Sequence, residues 1–344
     1  METIIFAIIG IAISTAVGIK ILPPLVYLSK FSYSNAKFSA IPITFLKEKE
    51  IARLLESKSL EELKNNFYSR DFILKGENAK ELQDSIDESL FRIINMAKND
   101  SPKSVASFYE AYMKKLDSYA VKEAILALKG EREIENKAML EENKEMIEKI
   151  KANKENAQEI LKEYGWNINL QKNEEEIERD VEKQAIRFLI EVKIPKGYKK
   201  AIDRFVKSLI DILNLKAILR GKYYDMPIYL YGEGWELPEW KLKELMKVEH
   251  VNEIVSLLEG TSYFNYLKNA VADFEKYGAE AFEKALDKQI LKIAREIAND
   301  NPLGIGVGIR FVVEKEFEAR NLKAVVKAIA EKMQELAKRL VVVE

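Results

Sequence analysis

Apolar positions recur at helical spacing along almost the whole chain, and three of the longest such stretches open on a proline. Pro102, Pro195 and Pro302 each follow a polar or chain-breaking approach: Asn99-Asp100-Ser101, Glu191-Val192-Lys193-Ile194 and Asn299-Asp300-Asn301. The stretches run on to Ala124-Ile125-Leu126, Ala217-Ile218-Leu219 and Ala324-Val325-Val326. The prolines are 93 and then 107 residues apart, and so are the alanines. Two independent landmarks with the same offsets predict one helical pattern written three times. Proline fits the first helical position, where its missing N–H would have been unpaired in any case.

A second landmark agrees. Leu54 to Leu63 matches Leu245 to Ile254, 191 residues on, and a weaker middle copy, Lys154 to Ile160, lies 97 residues after the first. Ser59, Asn156 and His250 then stand at predicted helix starts, and Ser59 with Glu62 forms a capping box. Each unit reads as a capped helix, connecting helices and a proline-started helix. The landmarks divide the chain into an apolar amino-terminal helix over 1–30, a first repeat over 31–131, a second over 132–226, and a connector with a third repeat over 227–344. The runs from Glu131 to Glu159 and from Asn173 to Lys183 are rich in Glu and Lys and read as solvated helix faces braced by i,i+4 pairs. The chief non-helical segment is Asp225 to Pro238, where two prolines and two glycines make a connector with room for a short strand.

The amino terminus has a different pattern. Thr3 to Ile19 carries no charge. Its 17 residues reach about 25 Å as a helix, against a hydrocarbon core of about 30 Å. Ile4, Ile5, Phe6, Ile9, Ile13 and Val17 supply apolar surface, and Gly10, Ser14 and Gly18 form a small-residue stripe that lets another helix approach closely. These residues are the expected membrane or membrane-protein contact. A buried helix of the main body is the competing reading. Lys20 and Lys30 follow the segment and place the main body on the cytoplasmic side. Glu2 stands where a cleaved leader has positive charge.

Composition narrows the chemistry. With 344 residues and 47% apolar content, the chain builds a sizeable core. Lys and Arg number 55 against 56 Asp and Glu, so no global attraction to nucleic acid exists. The absence of cysteine excludes disulfides, thiol nucleophiles and cysteine–zinc sites, and a single histidine disfavours a Ser-His-Asp triad. Gly304-Ile305-Gly306-Val307-Gly308 has the wrong spacing and helical context for a dinucleotide loop and reads as close helix packing. There is no Gly-x-x-x-x-Gly-Lys-Ser/Thr loop for nucleotide hydrolysis. His250 reads as a cap or surface residue. Asn214 and Asn321, 107 apart in apolar helices, are expected to make a repeated structural hydrogen bond.

Several motifs, in order, resemble the C subunit of the archaeal A-type (V-type-related) ATP synthase, which is similar to the d subunit of V-ATPases. Tyr33-Ser34-Asn35-Ala36-Lys37-Phe38-Ser39-Ala40 is similar to that family's opening Tyr-x-Asn-Ala-Arg-x-x-Ala. Leu55 to Leu63 resembles its first capped helix, Leu257 to Tyr263 its Leu-Glu-x-Thr-x-Tyr turn, and Asn214 to Arg220 the end of its middle repeat. Asn301-Pro302-Leu303 through Glu314-Lys315-Glu316-Phe317-Glu318-Ala319-Arg320-Asn321-Leu322 resembles its final motif. Val121 stands at the place of Asn214, Glu163-Tyr164-Gly165-Trp166 replaces a Thr-x-Tyr turn, and Gly232-Glu233-Gly234 replaces Pro-Gly-Gly.

The resemblance implies an all-α fold of three homologous helical repeat domains in a funnel with pseudo-threefold symmetry, plus the apolar amino-terminal helix. It implies a non-catalytic rotor adaptor with no cofactor, metal or small-molecule substrate. The adaptor would couple the central stalk at its wide end to the membrane proteolipid ring at its narrow end, on the cytoplasmic face, in proton- or sodium-driven ATP synthesis. The first helix, from Ile4 to Gly18, would then contact the ring. The alternative is a membrane-associated helical-repeat scaffold for other partners. Units near 100 residues disfavour it, since solenoid repeats run about 20–45 residues.

Overall fold

The computed structural model describes residues 29–344. The apolar segment containing Ile4, Ile5, Phe6, Ile9, Gly10, Ile13, Ser14, Val17 and Gly18 lies outside the described residues. Regular structure among the described residues is all-helical. The helices are α1 (Ser32–Ala40), α2 (Glu48–Leu55), α3 (Leu60–Asn66), α4 (Ala79–Asp100), α5 (Ala106–Lys129), α6 (Glu141–Ala152), α7 (Ala157–Glu163), α8 (Glu174–Ile190), α9 (Lys196–Tyr224), α10 (Glu239–Lys247), α11 (Val251–Leu257), α12 (Phe264–Tyr277), α13 (Ala279–Asp300), α14 (Gly306–Glu331) and α15 (Gln334–Leu340). No described helix is long and apolar enough to cross a membrane.

The long helices follow from their sequences. On α4, Leu82, Ile86, Leu90, Ile93, Ile94 and Ala97 recur every three or four residues and are buried as one stripe. Its start is fixed by Asn78, whose side chain accepts the Glu81 N–H at 3.0 Å. Helix α14 buries most of its circumference and packs against α1, α2, α4 and α13. Gly306 and Gly308 permit its close approach: a Cβ on the first would collide with the Ile297 carbonyl, and one on the second with the Tyr109 hydroxyl.

The long helices pair in a cycle. The helix after each proline packs on the helix before the next: α5 on α8, then α9 on α13, and α14 returns to α4. Two apolar clusters result. The larger runs from Phe31 to Met113 and resumes from Ile186 to Val342, while the smaller joins the end of α5 to α6, α7 and the start of α8. Phe188 packs against both.

Four local expectations need correction. None of the three prolines occupies the first helical position: Pro102 precedes a 3-10 turn over Lys103–Val105, Pro195 is the residue before α9, and Pro302 opens a turn that ends before Gly306. Residues 132–139 are not helical, although their composition resembles the helix that follows. The connector from Asp225 to Pro238 is extended but contains no strand, because none of it forms a ladder with a neighbour. Finally, the capping box at Ser59 is incomplete. Ser59 accepts the Glu62 N–H at 3.2 Å, but the Glu62 carboxylate takes the Lys58 N–H instead.

Candidate functional site

Three buried carboxylates, one on each long helix that follows a proline, hold a segment that leads into a shorter helix. Asp117 on α5 accepts the N–H groups of Met139 at 2.7 Å and Leu140 at 3.2 Å, at the entry to α6. Asp211 on α9 accepts those of Trp235 at 2.8 Å, Glu236 at 2.7 Å and Leu237 at 3.2 Å, before α10. Glu318 on α14 accepts those of Thr44 at 2.5 Å and Phe45 at 2.7 Å, before α2. Buried backbone N–H groups need partners, and here each set finds a carboxylate instead of a ladder. Met139, the last residue of the non-helical stretch 132–139, thus has its N–H committed to Asp117.

Each carboxylate has a different companion. Asp117 also takes the Asn143 amide at 2.7 Å, and Asn143 in turn accepts the Trp166 indole N–H at 3.2 Å. Asp211 takes the Tyr263 hydroxyl directly at 2.9 Å. Glu318 takes the Lys315 amine at 2.8 Å, and that amine also reaches Asp71 at 2.6 Å and the Pro42 carbonyl at 2.9 Å. Burial raises the carboxyl of all three above its usual range, against the opposing pull of the hydrogen bonds and, at Glu318, of Lys315. Gly234 makes the second grip possible, since any Cβ there would sit inside the Asp211 carboxylate.

The predicted asparagines belong to the same device. Asn214 accepts the Tyr231 N–H and donates to the Gly232 carbonyl, both at 2.8 Å. Asn321 donates to the Phe45 and Val342 carbonyls at 2.8 Å and accepts the Val342 N–H at 2.9 Å. The other predicted positions carry less. Asn156 and His250 are exposed and precede α7 and α11 without capping them through their side chains. Asn35 of the opening motif donates to the Pro302 and Gly304 carbonyls at 3.0 Å, which ties α1 to the turn before α14.

Ion pairs follow the same cycle between neighbouring long helices. Lys216 on α9 meets Asp287 on α13 at 2.6 Å, and Lys323 on α14 meets Asp87 on α4 at 2.6 Å. Lys122 on α5 lies 3.8 Å from Glu178 on α8. Between α5, α8, α9, α13 and α14 lies a hollow of about 420 Å³. Glu316 projects into it, paired with Lys115 at 2.7 Å and with the Tyr112 hydroxyl at 2.5 Å. Asp287 also lines it and accepts from Arg320 at 2.8 Å as well as from Lys216. Burial pushes both carboxyls upward, but the paired cations prevail and hold them below the usual carboxylate range. No group of three or more acidic or histidine side chains among the described residues is placed to hold a metal ion. Carboxylates saturated by backbone N–H groups and paired cations suit holding and bracing, not proton transfer.

Sequence reasoning found Asn214 and Asn321 but missed Asp117, Asp211 and Glu318. The signal was present in two of the three cases: an acidic residue stands three positions before each asparagine, and Asp211 and Glu318 are 107 apart like the asparagines. Asp117 is 94 residues before Asp211, and Lys122 is 94 before Lys216, one more than the proline spacing of 93. Asp117 follows Pro102 by 15 residues where Asp211 follows Pro195 by 16, and Ala120, not Val121, stands three residues after the clamping carboxylate.

A profile of the ATP synthase (C/AC39) subunit family matches residues 34–339. The chain is 30% identical over 343 aligned positions to the A-type ATP synthase C subunit of Methanothermobacter thermautotrophicus, covering 93% of this chain and 89% of the relative. It is 31% identical over 340 positions to the C subunit of the A-type ATP synthase of Methanocaldococcus jannaschii, covering 89% and 84%. The corresponding protein of Pyrococcus horikoshii is 27% identical over 330 positions, covering 88% and 87%. An all-helical body of this size, matched along its length, falls in the class of ATP synthase subunits. Within that class the chain belongs to the ATP synthase (C/AC39) subunit family, and its partners lie within the A-type complex.

Proposed function

We propose that this chain is a non-catalytic rotor adaptor, gripping the central stalk on one side and the membrane proteolipid ring on the other, and carrying torque between them. The observation that carries the reading is the cyclic pairing of α5 with α8, α9 with α13 and α14 with α4 around a hollow lined from all three proline-centred segments. Three repeat domains over 31–131, 132–226 and 227–344 fit that cycle and give a funnel with pseudo-threefold symmetry. Close-packed helices with buried carboxylate grips at each junction resist twisting, because such interiors compress little. The hollow, with its paired charges, would receive the foot of the stalk. The apolar amino-terminal segment would hold the adaptor to the ring on the cytoplasmic face of the membrane, in proton- or sodium-driven ATP synthesis.

Removal of residues 1–30 tests the anchor half of the reading. The shortened chain should lose association with the ring in purified complexes while keeping the stalk. Unchanged ring association would refute the anchor, and co-purification with unrelated proteins in place of stalk and ring components would favour a membrane-associated helical-repeat scaffold.

A further inference from the structure

A second cavity, apart from the central hollow and independent of the rotor reading, lies between α12, α13 and α15 and has a volume of about 420 Å³. Its walls carry Lys284, Lys288 and Arg339 together with the rings of Tyr266 and Tyr277. These three converge on one concavity, and none of them forms an ion pair with a described residue. Asp273 and Glu280 also line the cavity, yet neither comes within 4.0 Å of a cation nitrogen there. Lys284 donates to the Arg339 carbonyl at 2.8 Å, which leaves the rest of its ammonium toward the cavity. The Arg339 guanidinium and the Lys276 amine both lie near the Tyr277 ring, at 4.8 and 4.7 Å from its centroid.

We propose that this cavity binds a phosphate-bearing anion, held by Lys284, Lys288 and Arg339. The three cations outnumber Asp273 and Glu280 on the walls, and a multivalent anion would bridge them through charge-assisted hydrogen bonds and offset the Lys284–Lys288 repulsion. The tyrosines give the site apolar walls, and their hydroxyls add donors. Burial first and then the neighbouring Lys288 hold the Lys284 amine below the usual lysine range, against the weaker opposing pull of Asp273 and Glu48. The phosphate could come from a soluble ligand or from a lipid headgroup, since the same contacts serve both.

The test measures inorganic pyrophosphate by calorimetry and neutral vesicles with and without phosphatidic acid by flotation, using the full chain. Lys284→Met and Arg339→Met are the variants, and Lys243→Met, on α10, is the control. Thermal melting confirms that each variant folds. Saturable pyrophosphate binding, weakened about tenfold or more in both variants and unchanged in the control, supports a soluble ligand. Flotation that needs phosphatidic acid and is lost in both variants supports a lipid source. The proposal is overturned if neither probe binds, or if binding survives equally in all three variants.

Discussion

Asp117 and Glu318 make the same kind of grip in different surroundings. Both are buried, and both take backbone N–H groups from the segment entering a short helix. Asp117 sits by the smaller apolar cluster, and its remaining partner is a neutral amide backed by an indole. Glu318 sits in the larger cluster beside a lysine that is itself 1% exposed, and that lysine also holds Asp71. The neutral version can be broken by losing hydrogen bonds alone. The charged version ties three segments distant in sequence, α14, the Pro42–Phe45 strap and the Asp71 turn, but breaking it strands a charge in the interior. The seating of the Pro42–Phe45 strap and the Asp71 turn on α14 is therefore held by the more demanding chemistry.

The difference predicts a ranking. Glu318→Ala is expected to cost about 3–5 kcal/mol in chemical denaturation, because it leaves Lys315 with only part of its compensation. Adding Lys315→Met to Glu318→Gln should return part of that loss, so that the double variant is more stable than the sum of the singles requires. Strict additivity would show that the two side chains do not act as a unit. Asp117→Ala is expected to cost less, about 1–3 kcal/mol, since it leaves two N–H groups and an amide unpaired but no buried charge. A cost equal to that of Glu318→Ala would erase the distinction between the two grips. Trp166→Phe is expected to cost about 1–3 kcal/mol, for the lost hydrogen bond to Asn143 and the cavity the smaller ring leaves at a fully buried site.

The smallest effect is on pH dependence, and the two kinds of carboxylate pull in opposite directions. Glu316 and Asp287 sit below the usual carboxylate range. They contribute stability above that range, which is lost as pH falls through their lowered values. Asp117, Asp211 and Glu318 sit above it, so lowering the pH from neutrality through their raised values favours the fold. Denaturation midpoints followed from neutral to acid pH should show Glu316→Gln losing part of the wild-type fall at the acid end. An unchanged acid limb would contradict the assignment.

The helical content was legible because apolar spacing and Glu-Lys runs carry it directly. The proposed repeat rests on prolines, alanines and the two asparagines at matched offsets. What stayed hidden was the polar chemistry. Glu318 lies on a helix with three other acids, and although Asp211 stands among apolar neighbours, its N–H partners lie more than 20 residues away; burial is decided by elements far away in sequence. The asparagines stood out because an amide among apolar neighbours is conspicuous. Residues 132–139 misled because their composition resembles the helix that follows, while the Met139 N–H at their end is committed to Asp117. The single-residue slip between 93 and 94 could not be read from the prolines or the alanines, which both keep the offset of 93.

The central claim is that the hollow between α5, α8, α9, α13 and α14 receives the stalk. The chain has no cysteine, so Ser118→Cys, on the wall of that hollow, offers one site for a photo-activated cross-linker in the assembled complex. The account predicts adducts with a component of the central stalk. Adducts confined to other components, in complexes that contain the stalk, would contradict it.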